Sequence, residues 1–303
     1  MGDFVDGPVT VSVPATSANL GPGFDCLGLA LDLRDGLAAE VSDRGLRVEV
    51  EGEGADTVPG SEDHLVVTAM RRAFAALRVT PSGIRLHCRN RIPHGRGLGS
   101  SSAAIVGGLV LARARVRDGT QRLDDGQLLA LANQLEGHPD NVAPALLGGF
   151  VVCGQSVAGD GEPEVWARRS PVHEGVRAVV FVPPTGVLTR VARGLLPPTV
   201  SHQDAVANTS RAALLVAALA HAPELLLTAT EDFVHQRYRE PAMPETLDLV
   251  RRLRADGVPA VVSGAGPSVL ALTSVDADGL AGRVPDGWTS RVLDVDPAGA
   301  RVE

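Results

Sequence analysis

The sequence contains no lysine: all 28 of its basic residues are arginine. That absence excludes the common G-x-x-x-x-G-K-[ST] phosphate loop, whose lysine reaches the terminal phosphates. Aromatic residues are nearly as scarce, at 3% of the chain, so Val, Leu and Ala must supply most of a core. The three cysteines, Cys26, Cys88 and Cys153, are odd in number and scattered. They fit neither a disulfide framework nor metal-ligand spacing, and read as buried small hydrophobes. Positive charge is also in deficit. A net charge of -8 argues against a nucleic-acid partner, which needs a basic face to neutralise phosphates. An anionic substrate remains open, through local arginines only. No apolar run approaches a membrane span, and no charged-then-apolar leader opens the chain. No membrane partner is expected, and the expected location is cytoplasmic.

What is present is organised as short alternating segments. Residues 8–14 alternate as a strand should, a loop rich in Asn, Gly and Pro follows from Ser17 to Gly23, and Cys26 to Leu33 is apolar. Residues 46–51 alternate again, His64 to Leu77 has helical spacing, and Gly83 to Cys88 reads as a strand. Small and aliphatic residues from Ser101 to Val116 predict a close-packed helix. A second helix is expected over Gln127 to Leu135 and a strand over Gly148 to Cys153. The run Gly154 to Pro163, rich in Gly, Asp and Glu, is the expected domain boundary, dividing 1–160 from 161–303. Beyond it come a strand (Ala178 to Val182), two helices (Asn208 to His221, Glu245 to Ala255) and two apolar runs around a Gly-rich turn between Val258 and Thr273. Two α/β or α+β domains are the natural class for 303 residues so patterned.

Four clusters carry chemistry. The first is Pro93-His94-Gly95-Arg96-Gly97-Leu98-Gly99-Ser100-Ser101-Ser102, a glycine-serine loop running into a small-residue helix. Glycines let backbone approach a ligand, and a helix N-terminus offers free N–H groups to an anion. Gly97, Gly99, Ser100 and Ser101 can therefore wrap a di- or triphosphate, with a serine hydroxyl, Ser100 or Ser101, on Mg²⁺. The alternative is a glycine turn with a Ser cap. The second cluster is the loop bearing Asn19 and Asp25, which offers a hydroxyl contact and a carboxylate for an ammonium, or is an ordinary Asx-rich turn. The third is Glu136-Gly137-His138-Pro139-Asp140-Asn141, where a carboxylate at a helix end can hold a metal. His138 there is expected to be simply solvated, since one histidine without a positioned partner is weak evidence for a base. The fourth is Gly264-Ala265-Gly266-Pro267-Ser268, a turn small enough to pack its backbone against another glycine loop.

These segments resemble the three motifs of the GHMP small-molecule kinases, in order and approximate position. Ser17 to Asp25 and Glu136 to Pro144, followed by Gly148-Gly149-Phe150, resemble the homoserine kinase branch in particular. The resemblance spans about Val9 to Thr273. It implies an α+β, two-domain GHMP kinase fold. The N-terminal domain would be ribosomal-protein-S5-domain-2-like, with a left-handed β-α-β unit against the usual right-handed rule. The C-terminal domain would be a ferredoxin-like α/β sandwich.

The activity implied is ATP-dependent phosphorylation of the L-homoserine hydroxyl. The 93–102 loop with His64, Gly264 and Gly266 would bind ATP, and Ser101 and Glu136 would bind Mg²⁺. Asn19, Asp25, Asp140, Asn141, Thr189, Arg193 and Arg239 would line the amino-acid pocket, with Asp25 near the ammonium and the arginines on the carboxylate. Asn141, Asp140 and Arg193 would stand nearest the chemistry. Relatives carry Asn before the Leu-Val pair where this chain has His64. Asn141 stands where some members place a base, so the proton is expected to pass to a phosphate oxygen, with Asp140 the nearest candidate base otherwise. The resemblance also allows a homodimer. A mevalonate- or sugar-type kinase and a non-catalytic nucleotide sensor are the competing readings. The first should lack the ammonium and carboxylate ligands, the second Glu136 or the serines.

Overall fold

A computed structural model describes residues 3–156 and 164–303. Most of the run expected as the domain boundary, 157–163, lies outside the described residues. The strands are β1 (Val9–Asn19), β2 (Gly23–Val41), β3 (Leu46–Gly52), β4 (Ile84–Asn90), β5 (Phe150–Gln155), β6 (Val165–Ser170), β7 (Arg177–Val182), β8 (Ala260–Val262), β9 (Val269–Thr273), β10 (Thr289–Leu293) and β11 (Arg301–Val302). The helices are α1 (Leu65–Ala76), α2 (Ser100–Arg115), α3 (Gly119–Arg122), α4 (Asp125–Glu136), α5 (Pro139–Leu147), α6 (Thr189–Gly194), α7 (His202–His221), α8 (Leu226–Ala229), α9 (Pro244–Ala255) and α10 (Ala277–Ala281).

The first sheet runs β11-β1-β2-β4-β3, with β5 added to the early part of β2 and β6 to β5. Strand β2 is long because its alternation is long: Leu29, Leu31, Leu33, Asp35, Leu37 and Ala39 all point inward. Its start pairs with β5 and its end with β4, while β1 follows it throughout with register shifts at Pro14/Ala15 and Ala18/Asn19. The loop expected from Ser17 shrinks accordingly, since β1 continues to Asn19. Strands β3 and β4 pair in parallel across α1, a β-α-β unit within the N-terminal layer.

The second sheet, β10-β7-β9-β8, is antiparallel. With its helices the chain order is βαββαβ and the spatial order 4-1-3-2, the ferredoxin-like arrangement. Strands β7, β8 and β9 read as nearly unbroken apolar runs because both their faces are buried, whereas the edge strand β10 is polar and largely exposed. Ala178, Val180, Leu270 and Leu272 join the large core of the first sheet, and Val179, Phe181, Val269 and Ala271 join a smaller one under α9 and α10.

The expected division at 160/161 falls between β5 and β6, which pair with each other. Both strands belong to the first sheet, as does the tail strand β11. A ladder of paired strands cannot be divided between two sheets, so the first layer extends to Ser170 and takes back residues from the C-terminus. Among the described residues, no helix is long and apolar enough to cross a membrane.

Candidate active site

The glycine loop leaves the end of β4 and enters α2. Asp35 anchors its start from an inward position of β2. The Asp35 carboxylate accepts the backbone N–H of Arg91 (2.5 Å) and of Ile92 (2.9 Å). Burial nonetheless pushes its pKa above the ordinary carboxylate value, against those two bonds. Gly97 and Gly99 then adopt φ of 73° and 69°, in the left-handed region that side chains avoid. Neither position has room for a Cβ. At Gly97 it would lie 2.2 Å from the Ser263 carbonyl oxygen, and at Gly99 2.0 Å from the Thr16 hydroxyl.

The Gly-rich turn between β8 and β9 braces the loop, as its small side chains predicted. Ser263 Oγ donates to the Gly97 carbonyl (2.6 Å), the Ser268 N–H donates to the Arg96 carbonyl, and the Gly264 N–H reaches the Ala18 carbonyl. The N-cap of α2 is Gly99, and no side chain caps its first turn, so these amide donors remain available to an anion.

Two cavities meet at Ser100 and Ser101. One, of about 280 Å³, is lined by His64, Leu65, Val66, Pro59, His94 and Ala103 among others, and is mostly apolar. His64 caps α1 by accepting the Val66 N–H at Nδ1 (3.3 Å). Burial, then the nearby His94, hold the His64 pKa below its usual value and so keep it a neutral acceptor. The other cavity, of about 130 Å³, is lined mainly by polar and charged residues, among them Asn19, Glu136, His138, Asp140, Asn141, Thr189, Arg193 and Arg239, with Gly95, Gly97, Gly99 and Gly264.

Glu136 closes α4 opposite the start of α2. Its carboxylate accepts from Ser101 Oγ (3.0 Å) and Ser102 Oγ (2.9 Å). His138 and Pro139 open α5 and carry Asp140 and Asn141 into the cavity. His138 is not free in solvent as expected: its Nδ1 lies 2.7 Å from Asp140 Oδ1, and its side chain is 18% exposed. Burial works against its protonated form, but the bond and charge of Asp140 outweigh it and hold the His138 pKa above the ordinary value. Asn141 Oδ1 accepts from Thr16 Oγ1 (2.8 Å).

The opposite wall is arginine. Arg193 donates to both oxygens of Asp25, at 3.0 and 2.5 Å. Arg239, 1% exposed, donates one bond to the Gly264 carbonyl (2.8 Å), and its Nε is buried without a partner. Burial first, then the neighbouring Arg193, bring the Arg239 pKa down to about 10. Phe24 lies under both guanidiniums, with its centroid 5.3 Å from Arg193 and 5.6 Å from Arg239.

The chain matches the profile of the GHMP kinases N terminal domain over residues 64–149 and that of the GHMP kinases C terminal over 214–289. Homoserine kinase of Streptomyces avermitilis is 55% identical over 295 residues, covering 97% of this chain and 95% of that protein. The chain belongs to the homoserine kinase family of the GHMP kinases. Homoserine kinase of Clavibacter michiganensis is 51% identical across 97% of this chain and 94% of its own. The crystal structure of homoserine kinase from Cytophaga hutchinsonii superposes with a TM-score of 0.82 at 28% identity, over 99% of this chain and 98% of that one.

The residues expected at the ligands are placed unevenly about the two cavities. Pro93, Arg96, Leu98 and Ser102 line neither cavity. Leu98 is core, the buried Ser102 hydroxyl is turned to Glu136, and the Arg96 guanidinium is bound to carbonyls elsewhere. Gly266 backs the loop beneath Gly97 instead of facing the cleft. Asp25 is half-exposed and paired with Arg193. Asn19 uses its amide to donate to the Gly264 carbonyl and to accept the Asp25 N–H. Sequence reasoning missed Thr16, Asp35 and Phe24. Only Asp35 carried a signal, a carboxylate at an inward position of an alternating strand.

Proposed function

We propose that the chain transfers the γ-phosphoryl group of ATP to the side-chain hydroxyl of L-homoserine, giving O-phospho-L-homoserine, a step toward threonine. One observation carries the reading. A single polar cleft holds the open N-terminus of α2 on one wall and, on the other, a buried arginine with an unpartnered Nε beside a second arginine paired to Asp25. A triphosphate suits the first wall and an α-amino acid the second.

The apolar cavity beside His64 and His94 suits an adenine. The Gly95–Ser101 backbone between the cavities suits the phosphates. Ser101 Oγ and the Glu136 carboxylate are hard oxygen donors of the kind Mg²⁺ takes, and Mg²⁺ supplies charge neutralisation on the phosphate oxygens. Arg239 offers its free Nε edge to the substrate carboxylate. Asp25 and Arg193 bind each other without substrate, and a zwitterion offers each a replacement partner, its ammonium to Asp25 and its carboxylate to Arg193. Asn141, held at Oδ1 by Thr16, keeps its amide N–H groups for the acceptor hydroxyl. No dedicated base is needed: an amide cannot take the proton, Asp140 Oδ1 is already bonded to His138, and the proton passes to a phosphate oxygen. Catalysis is then positioning plus charge stabilisation.

The reading places the enzyme in the cytoplasm, where ATP is supplied, and extends to a homodimer, which sedimentation of the purified protein measures. Its main test is ADP release on a panel of L-homoserine, L-serine, L-threonine, 3-amino-1-propanol, mevalonate and galactose. Turnover is expected with homoserine far above the rest. Faster turnover of mevalonate or galactose, or none with homoserine, sinks it.

A further inference from the structure

The glycine loop and the amino-acid wall come from different layers, yet one side chain ties them. Arg96 lies between Gly95 and Gly97, and its guanidinium turns away from both cavities. Nε donates to the Pro183 carbonyl (3.1 Å), Nη2 to the Pro184 carbonyl (2.6 Å) and Nη1 to its own loop at the His94 carbonyl (2.8 Å). Beside it the Val187 N–H donates to the Gly95 carbonyl (3.3 Å). The contact is close enough that a Cβ on Gly186 would lie 2.5 Å from Arg96 Nη1. Residues 183–187 lead directly into α6, which carries Thr189 and Arg193 into the polar cleft. The charge-assisted bonds therefore join the backbone that faces the phosphates to the base of the segment that faces the amino acid.

We propose that Arg96 is a positioning residue that couples the two ligand sites: ordering the 95–101 loop around a triphosphate sets residues 183–187, and through them Thr189 and Arg193, for the acceptor. This rests on the reading of the two half-sites given above. The coupling is reciprocal, so the acceptor tightens nucleotide binding by the same factor. Arg96 itself touches neither ligand.

The test is calorimetric titration of homoserine into the full-length protein, with and without Mg²⁺ and the β,γ-imido analogue of ATP. Wild type should bind homoserine roughly 5- to 100-fold tighter with the analogue present. In Arg96→Met that enhancement should fall to about twofold or less, with each ligand's affinity alone within about threefold of wild type. Gly186→Ala, whose Cβ would crowd both the Arg96 guanidinium (2.5 Å) and the Gly95 carbonyl oxygen (2.9 Å) and so break the same junction without removing the arginine, should lose the enhancement likewise, and it supplies the answer should Arg96→Met not fold. Enhancement retained in a folded variant overturns the proposal, as does its absence in wild type. So does a loss confined to nucleotide affinity, which would make Arg96 a phosphate ligand. ADP release by wild type on homoserine, measured alongside, reports separately on the proposed activity.

Discussion

The two walls of the polar cleft are built from different materials. The wall proposed for the nucleotide is backbone: glycines in left-handed conformations, an uncapped helix N-terminus, and a second glycine turn pressed against the first. The wall proposed for the amino acid is side chain: Asn141, Arg193 and Arg239, with Asp25 paired to Arg193 and both arginines set over Phe24. A backbone wall tolerates almost no added atom but needs no particular charge. A side-chain wall depends on charge, and fails gradually as single groups are removed.

The largest effect should come from adding one carbon to the backbone wall. Gly97→Ala puts a Cβ 2.2 Å from the Ser263 carbonyl oxygen. The loop must shift, and ADP release should fall by about 100-fold or more in protein that still melts cooperatively. Retained activity would show that the loop's shape is not needed. On the other wall, Arg239→Met should raise KM for homoserine by about 30-fold or more and leave KM for ATP within about twofold. Equal losses in both constants would blur the division between the walls.

Thr16→Val keeps shape and removes the hydroxyl that orients Asn141. It should lower kcat by about 3- to 10-fold with KM little changed. Asp140→Asn should cost less than about 10-fold in kcat, whereas removing a general base costs roughly 10²–10⁴-fold. A loss in that higher range, with homoserine binding intact, would make Asp140 the base.

The smallest effect concerns acid. His235 is fully buried beneath the amino-acid wall, stacked on Phe24 and bonded through Nε2 to the Gly21 carbonyl (2.7 Å). Burial above all, against the charge of Asp232, pushes its pKa below 6.5. Below about pH 6.5 the unfolded chain binds a proton that the folded one refuses, so stability is full above that pH and falls beneath it. The melting temperature should drop between pH 7.5 and 5.5, and drop less in His235→Gln, which can still donate to Gly21. An equal drop in the variant would clear His235 of the effect.

The backbone wall was the more legible in the sequence. Gly97, Gly99 and the serines point to a backbone-built loop because glycines in such number and serines at a helix start carry a local conformational signal. The brace at residues 263–268 could be read for the same reason. Arg96 could not: a charged residue within a phosphate loop suggests a phosphate ligand, and only the tertiary neighbours Pro183 and Pro184 show where its donors go. His138 was misjudged because its partner, two residues away, faces it only when Pro139 starts a helix. Thr16, an ordinary strand residue in sequence, becomes an orienting group because β1 passes directly under α5.

By itself the sequence determined the family, the order of most strands and helices, and the glycine loop that opens a small-residue helix, since these depend on local conformational preference and short motifs. The tertiary structure alone decided that Asp25 faces Arg193, that Arg239 is buried with a free Nε, that the first sheet reclaims β6 and β11, and that Arg96 faces away from the cleft. Each of these depends on which distant segments share one small volume, and side-chain partners across such distances follow from packing rather than from spacing along the chain.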